Sequence, residues 1–267
     1  MKLPLFIVDS FAESIGNGGP AGVVVCKGEM PSSEEMKLIA REVGKSETAF
    51  VVGMNGKYQI RWFSPNMEMP LCGHATLAAS KVLTEIFGEV GELEFRYVNG
   101  ALHVKQDSDG IFRMDFPLDN YKEVEYEEVY TNFFGNIKTE KVIRGENTKK
   151  TVLIVNDETN LRSIMPNFGL MKTSQGFFYL WNRYFKKGEK YDIESRYFNP
   201  WSGVDEDQVT GSVHTLLGRY WSEALGKNQI VALQDSDRPG VLSLMVGENR
   251  IEIGGKAVIA INGEIEI

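Results

Sequence analysis

Arg61-Trp62-Phe63-Ser64-Pro65, followed by Cys72-Gly73-His74-Ala75-Thr76, has a second, altered copy in Arg196-Tyr197-Phe198-Asn199-Pro200, followed by Thr210-Gly211-Ser212-Val213-His214-Thr215. Arg61 and Arg196 stand 135 residues apart and Gly73 and Gly211 stand 138 apart, each close to half of the 267-residue chain. A repeat at half the length indicates duplication into two similar halves, not a solenoid of short units. In each copy an Arg-aromatic-Phe triplet alternates as a strand does, and a proline ends the ladder and begins a loop. A glycine then opens a helix. The first of these helices reads Ala75-Thr76-Leu77-Ala78-Ala79-Ser80-Lys81-Val82-Leu83, small or apolar over most of its circumference, and the second continues Thr215-Leu216-Leu217-Gly218-Arg219-Tyr220-Trp221. Helices apolar nearly all round are enclosed by protein. The expected fold is therefore α+β, with two pseudo-symmetric domains, each a curved sheet or barrel around a central helix.

Working outward, Met1 to Asp9 reads as a first strand. Asp109-Gly110, between Ala101–Val104 and Ile111–Phe116, is a hairpin signal, and Asn262-Gly263, between Val258–Ile261 and Glu264–Ile267, is another. Periodicity fades and acidic residues accumulate from Asp115 to Glu128. The halves are accordingly divided as 1–118 and 119–267, with the C-terminal strand 258–267 able to return to the first half.

Composition restricts the function classes. A 42% hydrophobic chain of this length can bury a substantial core, and its net charge of -8 lacks the concentrated basic face that a nucleic-acid partner requires. The nearest basic cluster, Lys186-Lys187 with Lys190, is broken by Gly188-Glu189 and reads as a solvated loop. No apolar run approaches the ~20 residues of a membrane span. The N-terminal apolar stretch is too short for a signal sequence. Two cysteines, Cys26 and Cys72, form no disulfide framework, which favours a reducing, cytoplasmic setting. Gly16-Asn17-Gly18-Gly19-Pro20 lacks dinucleotide-loop spacing and precedes a strand, so no nucleotide or flavin cofactor is expected. Cys72, His74 and His214 have no tight ligand spacing, so no metal is expected either. His103, in mid-strand, reads as structural.

Glycines opening both central helices let a ligand approach backbone N–H groups that favour anions, and the two matched copies favour a small carboxylate over simple capping by Ser212. Glu47 stands between a polar helix and an apolar strand, where burial is expected to raise its proton affinity. His74 occupies the copy-one position of Ser212, and Asp207, in Asp205-Glu206-Asp207, is placed to orient His74 or a substrate amine or hydroxyl.

Several motifs in order along the chain carry a resemblance: Val8-Asp9-Ser10-Phe11, Pro20-Ala21-Gly22-Val23-Val24, Ser46-Glu47-Thr48-Ala49-Phe50-Val51, Arg61 to Thr76 with Pro70-Leu71-Cys72-Gly73-His74, and Gly203 to Thr215. The chain resembles the PhzF-like, phenazine-biosynthesis-type isomerases, which share the diaminopimelate epimerase fold. The resemblance implies a cofactor-independent isomerase that moves a proton on a small carboxylate in the cleft between the halves. Glu47, His74 and Asp207 would be catalytic, with Gly73, Ala75, Gly211 and Ser212 binding substrate. It also implies a homodimer. Gly19 replaces the family's usual asparagine before Pro20, and Gln208 its usual proline after the aspartate. Two other readings are a catalytically silent carboxylate-binding protein and a racemase using Cys72. The latter needs a second thiol, but Thr210 stands opposite Cys72 in the repeat and an alcohol is no comparable base.

Overall fold

The computed structural model describes residues 2–156, 159–173, 179–184, 190–202 and 204–266. Residues 186–189 of the basic cluster, Gly203 and Ile267 lie outside the described residues. The chain divides into two compact units, Met1–Asp115 with Gly254–Ile267, and Phe116–Ile253.

In the first unit, β1 (Lys2–Ser10) is antiparallel both to β2 (Gly19–Val25) and to the strand Ala257–Glu266. Helix α1 (Ser33–Val43) carries the chain over to β3 (Glu47–Met54), which runs parallel to β2. Ser32 and Glu35 form a reciprocal capping box at the start of α1, and Gly44 closes it in the left-handed region at φ 63°. Its apolar face, Met36, Ile39 and Ala40, packs with Leu3, Val24, Phe50 and Phe63. β3 pairs antiparallel with β4 (Lys57–Phe63), which also holds the two-residue β5 (Glu68–Met69). Helix α2 (Gly73–Glu85) then leads to β6 (Glu92–Tyr97), parallel to β4, and β7 (Gly100–Gln106) and β8 (Phe112–Pro117) continue antiparallel. From His74 to Leu83 every residue of α2 except Lys81 is buried. It packs on β1, β2, β3 and Ala257–Glu266, so its nearly all-round apolar surface is covered as the sequence requires.

The second unit repeats this order. After β9 (Tyr121–Val124) and α3 (Val129–Phe134) come β10 (Thr139–Gly145) and β11 (Thr151–Val155), paired antiparallel from β9 through β11. The 3-10 turn Leu161–Ser163 and α4 (Phe168–Thr173) precede β12 (Tyr179–Tyr184), parallel to β11. β13 (Ile193–Asn199) pairs antiparallel with β12 and with the short β14 (Val204–Asp207). Helix α5 (Gly211–Leu225) then leads to β15 (Gln229–Gln234), parallel to β13, followed by antiparallel β16 (Gly240–Val246) and by β17 (Arg250–Gly255). The parallel–antiparallel–parallel sequence β2-β3-β4-β6 is thus reproduced by β11-β12-β13-β15. Gly218 lets α5 sit close to the sheet: a Cβ there would come 2.4 Å from Ile251 Cδ1.

The repeated arginine has the same task in both copies. Arg61 binds Glu68 with two parallel hydrogen bonds, 2.7 Å from Nε and 2.6 Å from Nη2, and Arg196 binds Glu206 in the same way at 2.7 and 2.8 Å. Each guanidinium covers the phenylalanine two residues on, Phe63 at 5.1 Å and Phe198 at 4.7 Å. Each also secures the crossover segment of its own unit, Arg61 through the Ser33 hydroxyl and Arg196 through the Leu161 and Ile164 carbonyls.

Both helix starts fall on the expected glycines, and Asp109-Gly110 forms the expected turn between β7 and β8, with Gly110 at φ 78°. The Asn262-Gly263 hairpin does not form. Ala257–Glu266 is one continuous strand in which Asn262 faces Phe6 and Gly263 faces Leu5. Nine residues of β1 offer a ladder along nearly the whole strand, and the ladder outweighs the local turn preference. A bulge at Ile7/Val8 absorbs the irregularity.

Candidate active site

In the first unit the start of α2 brings Glu47, Cys72 and His74 together. Glu47 is the first residue of β3, and His74 is the second residue of α2. His74 Nε2 lies 3.1 Å from Glu47 Oε2, with both side chains largely buried. The contact is an ion pair that lacks hydrogen-bond alignment, and Oε2 is a buried acceptor with no hydrogen-bond donor among the described residues. Ser46 Oγ is 3.4 Å from the same nitrogen, and the Ser10 hydroxyl donates to the His74 carbonyl at 2.7 Å. Gly19 lies beside the imidazole, where an added Cβ would make an ordinary contact at 3.5 Å from the ring.

The charges of this group determine one another. Burial works to raise the Glu47 pKa, but the His74 contact and Ser46 outweigh it and hold the carboxyl below its usual range. The expectation of a raised Glu47 proton affinity is therefore corrected: burial is present, but a buried cation is present with it. Burial works to lower the His74 pKa, and the Glu47 carboxylate beside it works to raise it. Burial also pushes the Cys72 thiol up. A thiol that stays protonated carries no charge to hold an imidazolium, so the Glu47 carboxylate is the counter-ion. At 3.1 Å and an effective dielectric of 20, the attraction is roughly 5 kcal/mol before desolvation is subtracted. Cys72 Sγ rests 3.6 and 3.9 Å from the two ring nitrogens of His74. The ligand atoms of Glu47, Cys72 and His74 lie within 4.8 Å of one another.

The other expected binding residues divide. Gly73 is partly accessible at the start of α2, whose first turn has no side-chain cap. The Ala75 side chain is fully buried, which leaves it only a backbone role, and its amide is directed at Cys72.

In the second unit the start of α5 holds Asp207, Thr210, Ser212 and His214. Thr210 is the N-cap residue, as Cys72 is for α2, and again no side chain caps the helix. Gln234, fully buried, accepts from the Thr210 amide at 2.9 Å and donates to the Asp207 carbonyl at 2.8 Å, fixing the approach to the helix. The Asp207 carboxylate accepts the Thr210 hydroxyl. An added Cβ at Gly211 would meet nothing within 4 Å, and Ser212 is exposed. His214 is fully buried with Nδ1 2.7 Å from the Thr210 carbonyl, and burial pushes its pKa down to about 4, so it is a neutral ring. It belongs to the buried core of its own unit.

Sequence reasoning missed Ser10, Ser46 as a neighbour of His74, and Lys150. Ser10 and Ser46 sat inside recognisable motifs without roles. Lys150 sat in Lys149-Lys150-Thr151, which carries no motif at all.

The duplicated α+β architecture is that of the epimerase-like fold, and the relatives of this chain are named as isomerases. The chain matches the model of the phenazine biosynthesis-like protein family over residues 8–263. An uncharacterized isomerase of Pseudomonas aeruginosa is 35% identical over 268 residues, covering 100% of both chains. A PhzF-family phenazine biosynthesis protein of Enterococcus faecalis, a crystal structure, superposes with a TM-score of 0.92 at 34% identity, covering 100% of both. A hydroxyproline epimerase of Agrobacterium vitis shares the fold at a TM-score of 0.59 and 10% identity, covering 99% of this chain and 92% of its own. The chain belongs to the phenazine biosynthesis-like protein family. Among the described residues no helix is long and apolar enough to cross a membrane.

Proposed function

We propose that this isomerase moves a proton on a small carboxylate substrate, with Glu47 as the base and acid and His74 as the stabilising cation. The observation that carries the reading is the buried Glu47–His74 pair at 3.1 Å, whose Oε2 has no aligned hydrogen-bond donor among the described residues. At neutral pH Glu47 is ionised and able to accept. It takes a proton from a carbon next to an activating group, and the released electron pair delocalises into the conjugated substrate. The negative charge thereby passes from Glu47 to substrate while His74 stays beside it, so the buried imidazolium always has an anionic partner. Glu47 then returns the same proton to another carbon of the substrate, and no electrons or protons are gained overall. Asp207 and Ser212 contribute to substrate binding in this reading.

The test begins with a thermal-shift screen of small cyclic and amino carboxylates, followed by solvent deuterium exchange into each one that binds. Glu47→Gln should bind the same compounds and exchange roughly 10²- to 10⁴-fold more slowly, the usual share of general acid–base catalysis. Full exchange in the variant would remove Glu47 from the reaction, and binding without exchange in either protein would favour the silent binder. The Cys72 racemase reading predicts that Cys72→Ser abolishes exchange. The buried, protonated thiol supports the opposite outcome, a change of a few-fold at most.

A further inference from the structure

The second unit contains a half-buried cation that has no counter-ion among the described residues. The turn before β11 is tied down by Asp119, whose carboxylate accepts the Asn147 amide at 2.9 Å, the Thr148 amide at 3.0 Å and the Thr148 hydroxyl at 2.6 Å. Lys149 takes a left-handed φ of 58°, a conformation that a lysine adopts only when its surroundings impose it. This rigid turn delivers Lys150, whose Nζ donates to Ser212 Oγ at 2.5 Å and stands 4.9 Å over the Tyr197 ring. No carboxylate among the described residues comes within ion-pair distance of Nζ. Asp207 and Asp119 act on it only from farther off, the first holding the Thr210 hydroxyl and the second the turn. The groups around it are completed by Tyr197 and by neutral His214, neither of which supplies negative charge at neutral pH.

Lys150 keeps some accessible surface, yet enough protein surrounds Nζ for desolvation to push its pKa down to about 8. An ammonium so placed gains from any anion that reaches it. Its one hydrogen bond here leaves two N–H donors over. Because Ser212 Oγ accepts from Lys150, its own hydroxyl hydrogen is turned away from the lysine, toward an incoming acceptor. Beside it, the first turn of α5 has no side-chain cap and open space at Gly211.

The geometry points to Lys150 as a specificity-determining residue, which with the Ser212 hydroxyl it orients receives a carboxylate group of the substrate. The inference rests on the reading of the substrate as an anion but not on Glu47. It needs no proton transfer and no covalent step.

The test is a titration of the Lys150 side chain in the intact wild-type protein by 13C NMR at Cε, assigned by the signal missing from Lys150→Met. Acetate serves as the probe and acetamide as its neutral isostere, at constant ionic strength. A carboxylate at twice its dissociation constant raises the titration midpoint by about 0.5 pH, because it binds the charged form alone. Acetate should produce that rise, acetamide should not, Ser212→Ala should reduce it, and Glu47→Gln should leave it intact. A midpoint indifferent to acetate up to about 0.5 M overturns the assignment, since linkage requires the rise. Full deuterium exchange in Glu47→Gln with a normal acetate response would refute the proposed reaction and leave Lys150 standing; the reverse pattern would refute Lys150 alone.

Discussion

The starts of α2 and α5 share a backbone frame but have opposite electrostatics. Each follows a two- or four-residue strand held by a bidentate arginine, each has an uncapped first turn opened by glycine, and each back-bonds its N-cap carbonyl from four residues on. That fourth residue is Thr76 in one unit, whose hydroxyl also accepts the Trp62 indole N–H, and neutral His214 in the other, whose Nε2 is buried with no partner among the described residues. At the second helix position stand His74, paired with a carboxylate, and Ser212, paired with an ammonium. Duplication has preserved the frame, and side chains from elsewhere in each unit have set the charge. A closed ion pair is suited to shuttling a proton; an ammonium with no counter-ion among the described residues is suited to holding an anion still.

The comparison can be broken or sharpened by substitution. The largest effect is expected at Arg196, whose pair with Glu206 is more enclosed than its counterpart. Arg196→Met strands a largely buried Glu206 and should cost about 3–5 kcal/mol in urea unfolding. His214→Gln comes next. The folded pKa of about 4 lies below the ordinary 6.5, so the neutral ring's stability is fully present above pH 6.5 and is lost as pH falls toward 4. Wild type should lose about 3 kcal/mol from this group across that interval, and the variant should be spared that part of the loss. Arg61→Met, at the half-exposed clamp of the first unit, should cost no more than about 1 kcal/mol. Equal costs at Arg61 and Arg196 would show the two clamps to be energetically alike and the burial argument to be mistaken.

Much of this frame was legible because it depends on short-range signals. Glycine before an apolar run marked both helix starts, and the alternation of Arg-aromatic-Phe marked β4 and β13. The repeated arginine was visible as a repeat but not as a clamp, because its partners Glu68 and Glu206 sit at different distances along the chain. Asn262-Gly263 misled because the strand partner that overrides its turn preference is β1, some 250 residues earlier. The sign of the Glu47 shift was missed for a related reason. Burial could be inferred from its neighbours in sequence, whereas the cation that reverses it is contributed by another element. Lys150 was not legible at all, since what distinguishes it is the absence of a counter-ion among the described residues, a property of surroundings with no local pattern.

The pairing of β1 with Ala257–Glu266 makes the first unit depend on the order of synthesis. On the ribosome, residues 2–115 emerge with one edge of β1 bare and one wall of α2 uncovered, and they remain so until all of Phe116–Ile253 has been made. The second unit, continuous in sequence, can close upon itself first. The nascent chain thus matures against its direction of travel, and the exposed β1 edge is where a chaperone or an unwanted strand would find it in the interval.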